Sequence, residues 1–498
     1  MTEAGQHQDI AALAKGGRTN FLGFLLRLAA RLPFLLIAGR MYGAASLGRF
    51  ASAMVVIELA GQLCTLGQKR GLAQRLSEDE RNPDAESRPA NVVADAMVLS
   101  SLLALLTGLF LFTFPKVMYP RGEFSEWDLL LPLAILPTTL TDVALSALAY
   151  RYDVATTVRS RSVVEPWTLS IAAGLLFFVV PEAGLPLSYL ASIVTSGLVA
   201  WVALLRSYGL PRQWLPHPAR IGRLALANLP LAAADAVEWG TRKLDIFILR
   251  FFVSDEVVGI YFVAQQVASL PQKLKTSFEP ILGPVITRNL HEKNYPAIAR
   301  QVRQVGFWII AAQAGVALAL GLPGEGVMGL VGPTFVGGTA ALAFLLAAEV
   351  VAATAVVSEA ALIYMARFRN LVVSLGTIAL QAALTLAGIE LVKDHGLSPL
   401  YMATIPAAAL MVTLATASLI KSRILGDILG ESVNNWRWPL AWAAIPAIAV
   451  GGVATGFLPE WAELLFGIPA ILATYVWIIW HKGFGPEDRV LFRKNVGA

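Results

Sequence analysis

Long apolar stretches recur along the whole chain and are separated by short polar connections. The chain has 498 residues, of which 56% are hydrophobic and only 15% are charged. A soluble protein usually has about 25% charged residues. Stretches of about 20 apolar residues cross a bilayer as helices, because a helix satisfies its backbone hydrogen bonds internally. The sequence therefore predicts an all-α polytopic membrane protein.

Fourteen of these stretches are predicted to be transmembrane helices. Their predicted limits are 20–39, 47–67, 91–114, 128–149, 163–180, 186–205, 224–252, 257–286, 304–322, 339–365, 371–391, 398–420, 438–457 and 462–480. Only a very short turn separates the first span from the second.

The basic residues predict the orientation of these spans. Lys and Arg concentrate in every second connection, and cytoplasmic loops carry an excess of these residues. We therefore expect the even-numbered connections and both termini to be cytoplasmic. The opposite side is predicted to carry few basic residues, namely Arg40, Arg49, Lys116, Arg121, Arg250 and Lys393.

One predicted span, 224–252, carries an unusual number of charges. Asp235, Glu238, Arg242 and Asp245 follow one another at spacings of three, four and three residues, so that they share one face of a helix. Charged side chains inside a membrane face other helices or a water-filled cavity, because contact with lipid is costly. We interpret this face as one wall of a central pathway.

A short repeat relates the two halves of the chain. The first span ends in AGRMYGAASLGRFASAM, and the seventh ends in ILRFFVSDEVVGIYFVAQQ. Arg40 aligns with Arg250, and Gly48 aligns with Gly259 after a one-residue gap. Each motif starts a block of six spans, which is typical of a two-lobed transporter with its substrate path between the lobes.

The same regions resemble a known family. GGRTNFLGFLLRLAARLPFLLIAGRMYGAASLGRF is similar to the opening of the polysaccharide transporters of the O-antigen-flippase type, and LDIFILRFFVSDEVVGIYFVAQQVASLP is similar to their seventh and eighth spans. The resemblance implies membership of the multidrug/oligosaccharidyl-lipid/polysaccharide (MOP) flippase superfamily, which also contains MATE exporters and lipid II flippases. It implies two six-helix lobes in a V shape, followed by two C-terminal helices.

This fold predicts six regions along the chain. They are a cytoplasmic N-terminal segment (1–19), an N-lobe with spans 1–6 (20–206), a cytoplasmic linker (207–223), a C-lobe with spans 7–12 (224–422), spans 13 and 14 (423–481) and a cytoplasmic tail (482–498).

The resemblance also implies a function. The expected substrate is an undecaprenyl-pyrophosphate-like lipid-linked oligosaccharide, which would move from the inner to the outer leaflet of a bacterial plasma membrane by alternating access. The expected partners are this glycan, membrane lipids and the polysaccharide assembly machinery, without nucleic acid. The alternatives are a MATE-like ion-coupled multidrug exporter and a lipid II flippase.

Five basic residues are candidate ligands of the pyrophosphate. Arg27 and Arg31 lie four residues apart on one face of the first span, and planar guanidinium groups suit phosphate oxygens. Arg242, Lys243 and Lys273 would add cationic groups from spans 7 and 8. The alternative for Arg27 is that it extends to the membrane interface, and both arginines could instead be paired structurally.

The carboxylates of the seventh span leave two interpretations open. Asp235, Glu238 and Asp245 exceed Arg242 and Lys243 by one negative charge, which could bind a proton or sodium ion and couple transport to an ion gradient. Alternatively, the five residues only neutralise one another in a buried network. Further acidic residues within spans are expected to be paired structurally: Glu58, Asp95, Asp142, Glu165, Glu349 and Glu359.

Span 8 has a polar face that suits sugar hydroxyls or, equally, ordinary hydrogen bonding between helices. It consists of Gln265, Ser269, Gln272, Thr276 and Glu279. The sequence lacks a glycine-rich loop that would bind ATP, and its histidines have no metal-binding spacing. The short outer connections also argue against a membrane enzyme, so we expect neither an enzyme nor a bound cofactor.

Overall fold

The computed structural model describes residues 32–81, 89–211, 214–275, 286–486 and 488–489, with the backbone alone at 79–81 and 273–275. These residues form helices connected by turns and contain no β-strand. They divide at Gly259 and Ile260 into two compact units. Each unit is built from long helices, as the apolar stretches require.

The first unit contains eight helices and the start of a ninth. They are α1 (32–42), α2 (Gly43–Thr65), α3 (Gln68–Arg81), α4 (Pro89–Thr113), α5 (Glu126–Tyr150), α6 (Val154–Val179), α7 (Gly184–Tyr208), α8 (Pro218–Leu249) and α9 (Asp255–Lys275).

Two sharp turns near the beginning of this unit depend on residues with positive φ. Gly43 has φ +80° and ends α1, which gives the short turn predicted between the first two spans. Leu66 and Gly67 have φ values of +46° and +68° between α2 and α3. Glycine adopts such angles without the steric penalty of a Cβ atom. The second turn allows α3 to pack against α8.

Helices α2 and α9 approach each other closely at two glycines. A Cβ atom at Gly48 would lie 1.7 Å from the carbonyl oxygen of Asp255, and one at Gly259 would lie 2.0 Å from that of Ala44. The contact is reciprocal, because each glycine faces the residue four positions before the other. The two glycines aligned by the sequence repeat thus lie against each other's helices.

The second unit contains a short helical segment (286–291) and seven further helices. They are α10 (Tyr295–Gly321), α11 (Gly324–Val331), α12 (Thr339–Met365), α13 (Arg367–Asp394), α14 (Pro399–Leu429), α15 (Pro439–Phe457) and α16 (Glu460–Gly483).

The core of the second unit joins its central helices to the C-terminal pair. It includes Phe307 of α10, Val357 of α12, Leu425 of α14, Ala443 of α15 and Tyr475 of α16. The last two predicted spans therefore share one core with the helices before them.

The prediction of an all-α polytopic membrane protein is confirmed. Among the described residues, 11 helical segments are long and apolar enough to cross a membrane. They correspond to predicted spans 2–6 and 9–14. Helices α8 and α9 correspond to spans 7 and 8, which carry more charge, and most of predicted span 1 lies outside the described residues.

The first unit extends further along the chain than the predicted N-lobe, 20–206. It includes α8, which the sequence assigned to the second lobe at 224–422. The physical reason is that α8 packs against α2 and α3, and the ion pairs among these helices form the candidate site.

Candidate functional site: a charged network around helix α8

The charged face of α8 forms as predicted, but its residues differ in exposure. Asp235 and Asp245 are buried, with 3% and 1% of their surface exposed. The side chains of Glu238 and Arg242 are 43% and 51% exposed. Glu238 Oε1 lies 2.9 Å from Arg242 Nη2, one helical turn away. One face of α8 thus combines two buried carboxylates with an accessible ion pair.

Arg70 of α3 completes the pairing of this face. Its Nε lies 3.3 Å from Asp235 Oδ1, and its Nη2 donates to Glu238 Oε2 at 2.7 Å. The planar guanidinium group can serve two acceptors at once, which a lysine cannot do with the same geometry. Arg70 and Arg242 therefore flank Glu238 from two helices.

Lys243 connects α8 to a different neighbour. Its Nζ lies 3.5 Å from Glu58 Oε2 of α2. Helices α2, α3 and α8 are therefore linked through charged side chains within one compact unit, and the predicted structural pairing of Glu58 agrees with this contact.

One carboxylate oxygen of this face is not satisfied by the described ion pairs. Asp235 Oδ2 has no hydrogen-bond partner among the described residues, and the Asp235 side chain is 5% exposed. An unsatisfied buried carboxylate oxygen is costly. A bound proton or cation would remove that cost.

A second ion-pair network lies beside the first. Asp142 of α5 pairs with Arg161 of α6, and its Oδ2 lies 2.8 Å from Lys69 Nζ of α3. Arg161 Nη1 also donates to Glu165 Oε2 at 2.7 Å. Lys69 is adjacent in sequence to Arg70, so the start of α3 connects the two networks. A change in the position of α3 would disturb both.

Arg250, at the end of α8, is buried and binds backbone carbonyls. Its Nη1 donates to the oxygens of Ser52 and Met118 at 3.0 and 3.1 Å, and its Nη2 donates to that of Val117 at 2.9 Å. These bonds attach the end of α8 to α2 and to the turn after α4. Arg40, its partner in the sequence repeat, is exposed instead.

Three predicted pyrophosphate ligands fall outside the described side chains. Arg27 and Arg31 precede residue 32, where the description begins. Lys273 lies in the last turn of α9, and its side chain is not among those described. Thr276 and Glu279 of the predicted polar face also fall outside. The functional roles of these residues stay predictions.

Arg70 is the central residue that the sequence interpretation missed. The sequence placed Lys69 and Arg70 in a cytoplasmic connection, where they served only to orient the spans. A signal was present, because Leu72 and Leu76 have the four-residue spacing of a helix face, and both are fully buried. That spacing predicts α3, which holds both basic residues against neighbouring helices.

The second unit contains a separate ion pair, in which Lys421 is buried and the Glu359 side chain is 39% exposed. Lys421 Nζ lies 3.0 Å from Glu359 Oε2 and 3.3 Å from Ser374 Oγ, and Asn370 donates to Glu359 Oε1 at 3.4 Å. The charge pattern assigned Lys421 to a cytoplasmic connection after residue 420. The predicted span limit of 420 is too short, because α14 continues to Leu429 and carries Lys421 as a buried residue.

A comparison with known families identifies the group to which the protein belongs. A family model described as "polysaccharide biosynthesis protein" matches residues 14–290, which is more than half of the chain. The chain belongs to this family. Polysaccharide biosynthesis proteins of this kind are part of the MOP flippase superfamily, so the resemblance recognised in the sequence is confirmed. The matched region contains both ion-pair networks.

Solved structures share the fold of this polysaccharide biosynthesis protein. The lipid II flippase MurJ, in an inward closed conformation, has a TM-score of 0.71 and 11% identity, with 94% of this chain and 99% of that chain covered. An inward-facing MATE multidrug resistance transporter has a TM-score of 0.59 and 14% identity, with 86% and 96% covered. A MOP superfamily transporter from Pyrococcus furiosus has a TM-score of 0.58 and 14% identity, with 85% and 96% covered.

No curated protein matches the chain. At identities this low the structural matches describe the fold alone, whereas the family match carries the functional class. The family and its structural neighbours are transporters and flippases rather than enzymes. This polysaccharide biosynthesis protein is therefore a multi-pass membrane transporter or flippase.

Proposed function

We propose that the protein moves an isoprenoid-pyrophosphate-linked oligosaccharide from the inner to the outer leaflet by alternating access. The membrane would be a bacterial plasma membrane with both termini in the cytoplasm. The transported glycan would then enter cell-surface polysaccharide biosynthesis together with its assembly machinery. The family match and the MurJ-like fold support this proposal.

The arrangement of Arg70, Glu238 and Arg242 is the observation that carries the proposal. Two guanidinium groups flank a single carboxylate, and their side chains are 49% and 51% exposed. Guanidinium groups bind phosphate oxygens as they bind carboxylate oxygens, with paired and nearly planar hydrogen bonds. A pyrophosphate could therefore replace Glu238 as the partner of both arginines. Arg27, Arg31, Lys243 and Lys273 stay proposed contributors to the same cationic surface.

The buried carboxylates offer a route for energy coupling. Asp235, Glu238 and Asp245 are proposed to bind a proton or a sodium ion, because Asp235 Oδ2 is buried without a hydrogen-bond partner among the described residues. Asp235 Oδ2 is the proposed position of the proton, because protonation there would remove a buried charge that the described residues leave unsatisfied. If a pyrophosphate took Arg70 from Asp235, protonation of Asp235 would avoid a buried unpaired charge. Substrate binding and ion binding would then be linked through Arg70.

The carboxylates also favour a second candidate function. A MATE-like exporter of cationic drugs would need acidic groups in its binding wall, and α8 supplies three within eleven positions of one helix. The half-exposed arginines favour an anionic head group instead, because Arg70 and Arg242 are the accessible cations of the network. A lipid II flippase would also carry an isoprenoid pyrophosphate, so it uses the same chemistry with a different glycan.

Binding of a soluble isoprenyl pyrophosphate to the purified protein tests the proposed recognition. Arg242→Ala should weaken binding at least tenfold, because one charge-assisted contact contributes about 1.5–3 kcal/mol. Arg242→Lys should recover only part of the loss, because lysine lacks the planar fork. Arg206→Ala, at an exposed position of α7, is the matched control. Unchanged affinity in Arg242→Ala would exclude the arrangement as the recognition site.

A further inference from the structure

A groove of about 430 Å³ runs between α3 and the first turns of α8. This volume lies within the range of about 300–1,000 Å³ found for small-ligand sites. Its polar walls carry Gln74, Arg75 and Glu78 from α3, and Arg220, Arg223 and Asn228 from α8. We call it the α3–α8 groove. It is distinct from the Arg70 network, whose residues do not line it.

The described lining residues of the α3–α8 groove carry a net positive charge. Among them, three arginines face one carboxylate, that of Glu78, which already accepts a hydrogen bond from Gln74 at 2.7 Å. Arg220 is held in position by Asp95 of α4, with an Nη2–Oδ1 distance of 2.8 Å. Arg75 and Arg223 make no ion pair with the other residues that the structure describes. Two cations therefore remain available to an anion.

A buried amide adds an independent sign of a missing ligand. Asn228 is 3% exposed and lines the groove, yet its Nδ2 has no hydrogen-bond partner among the described residues. Buried donors are normally satisfied, and an orphaned one is costly. Gly71 makes room for this side chain, because a Cβ atom there would lie 2.8 Å from Asn228 Oδ1. The amide is thus held in the wall, with a free donor.

The surroundings of the α3–α8 groove suit a lipid. Helix α8 has 32 residues, so at about 1.5 Å per residue it is about 48 Å long and exceeds the hydrocarbon core of about 30 Å. Its arginine-bearing first turns therefore reach the level of the head groups. Leu226 and Leu229, beside the groove, are 74% and 57% exposed. Acyl chains could cover these leucines while a charged head group occupies the groove.

We infer that the α3–α8 groove binds the phosphate group of an acidic lipid, with Arg75 and Arg223 as charged ligands and Asn228 as a neutral donor. Basic pockets at the ends of membrane helices are suited to anionic head groups. The inference does not depend on which glycan the protein carries. It assigns a second phosphate site, separate from the arginines of the central network.

The test measures binding of three probes to the full chain in detergent micelles: short-chain phosphatidylglycerol, inorganic pyrophosphate and uncharged diacylglycerol. Arg75→Gln/Arg223→Gln should weaken phosphatidylglycerol binding at least tenfold, because it removes two charge-assisted hydrogen bonds. Asn228→Asp, which keeps the side-chain shape and adds a negative charge, should also weaken it. Arg206→Gln/Arg369→Gln removes the same charge from exposed positions elsewhere and should leave the affinity unchanged.

Each outcome decides the assignment. Loss of phosphatidylglycerol binding in the groove variants, with the control unaffected and diacylglycerol not bound, supports a lipid phosphate in the groove. Equal affinity of the wild type for inorganic pyrophosphate and phosphatidylglycerol would exclude a lipid as the source of the phosphate. Acyl-chain contacts with Leu226 and Leu229 would then contribute nothing to binding. Unchanged phosphatidylglycerol affinity in both groove variants would overturn the site itself.

Discussion

Removal of the Arg70 guanidinium should destabilise the first unit through Asp235. Arg70→Gln keeps a polar side chain of similar length but removes the charge that faces two carboxylates. Asp235 is then buried without the cation whose Nε lies 3.3 Å from its Oδ1. Glu238 keeps Arg242 as a partner and is half exposed. The predicted loss therefore comes mainly from Asp235.

The expected loss of stability follows from the Arg70–Asp235 distance and from the exposure of the two side chains. At 3.3 Å and an effective dielectric constant of about 20, the gross attraction is about 5 kcal/mol. Arg70 is 49% exposed, so water screens part of it. Breaking a fully buried pair costs about 3–5 kcal/mol, whereas an exposed pair contributes about 0–1 kcal/mol. For this mixed pair we expect a loss of about 2 kcal/mol.

Thermal unfolding of the purified protein measures this loss as a fall in Tm. The double variant Arg70→Gln/Asp235→Asn should recover most of the stability, because it removes the unpaired charge as well. Arg206→Gln, at an exposed position of α7 in the same unit, is the control and should change Tm little. A Tm of Arg70→Gln equal to that of the wild type, or no recovery in the double variant, would refute the reasoning.

Three further predictions concern packing, topology and pH. Gly48→Ala should separate α2 from α9 and lower the yield of folded protein, because the new Cβ atom would lie 1.7 Å from a backbone oxygen; a normal yield and Tm would contradict this. Reporter fusions at Ser77 and Asn495 should both give a cytoplasmic signal, and opposite signals would exclude an even number of spans between them. Burial raises the pKa of Asp255, at the start of α9 and before the predicted span, from 3.8 to about 6. The folded state then binds more protons than the unfolded chain, so stability should fall as the pH rises from about 4 to about 6; Asp255→Asn should abolish this slope in Tm.

The helices were predictable because their signals are local. Apolar stretches of membrane-spanning length predict α4, α7 and α12 without knowledge of any neighbour. The sequence repeat also aligned Gly48 with Gly259, although it could not show that the two glycines contact each other's helices. The extent of the first unit was harder to predict from the sequence, because it depends on side-chain contacts between α8 and α3, which are far apart in the chain.

The candidate site was predictable in part for the same reason. The spacing of Glu238 and Arg242 gave their i,i+4 ion pair directly. The ion pair between Arg70 and Asp235 joins residues 165 positions apart. The residue pattern within a single helix cannot predict such a long-range contact. The end of this span was placed at 420 because the last nine residues of α14, 421–429, are of mixed polarity and resemble a connection.

Transport by proteoliposomes tests the central claim most directly. Purified protein would be reconstituted with a fluorescent isoprenoid-pyrophosphate-linked oligosaccharide, and transfer between leaflets would be followed by the accessibility of the glycan to an added enzyme. The proposal predicts transfer by the wild type, a severe reduction in Arg27→Ala/Arg31→Ala and in Arg242→Ala, and normal transfer in Arg206→Ala. No transfer of the lipid-linked glycan, together with ion-driven export of a cationic drug by the same proteoliposomes, would contradict it.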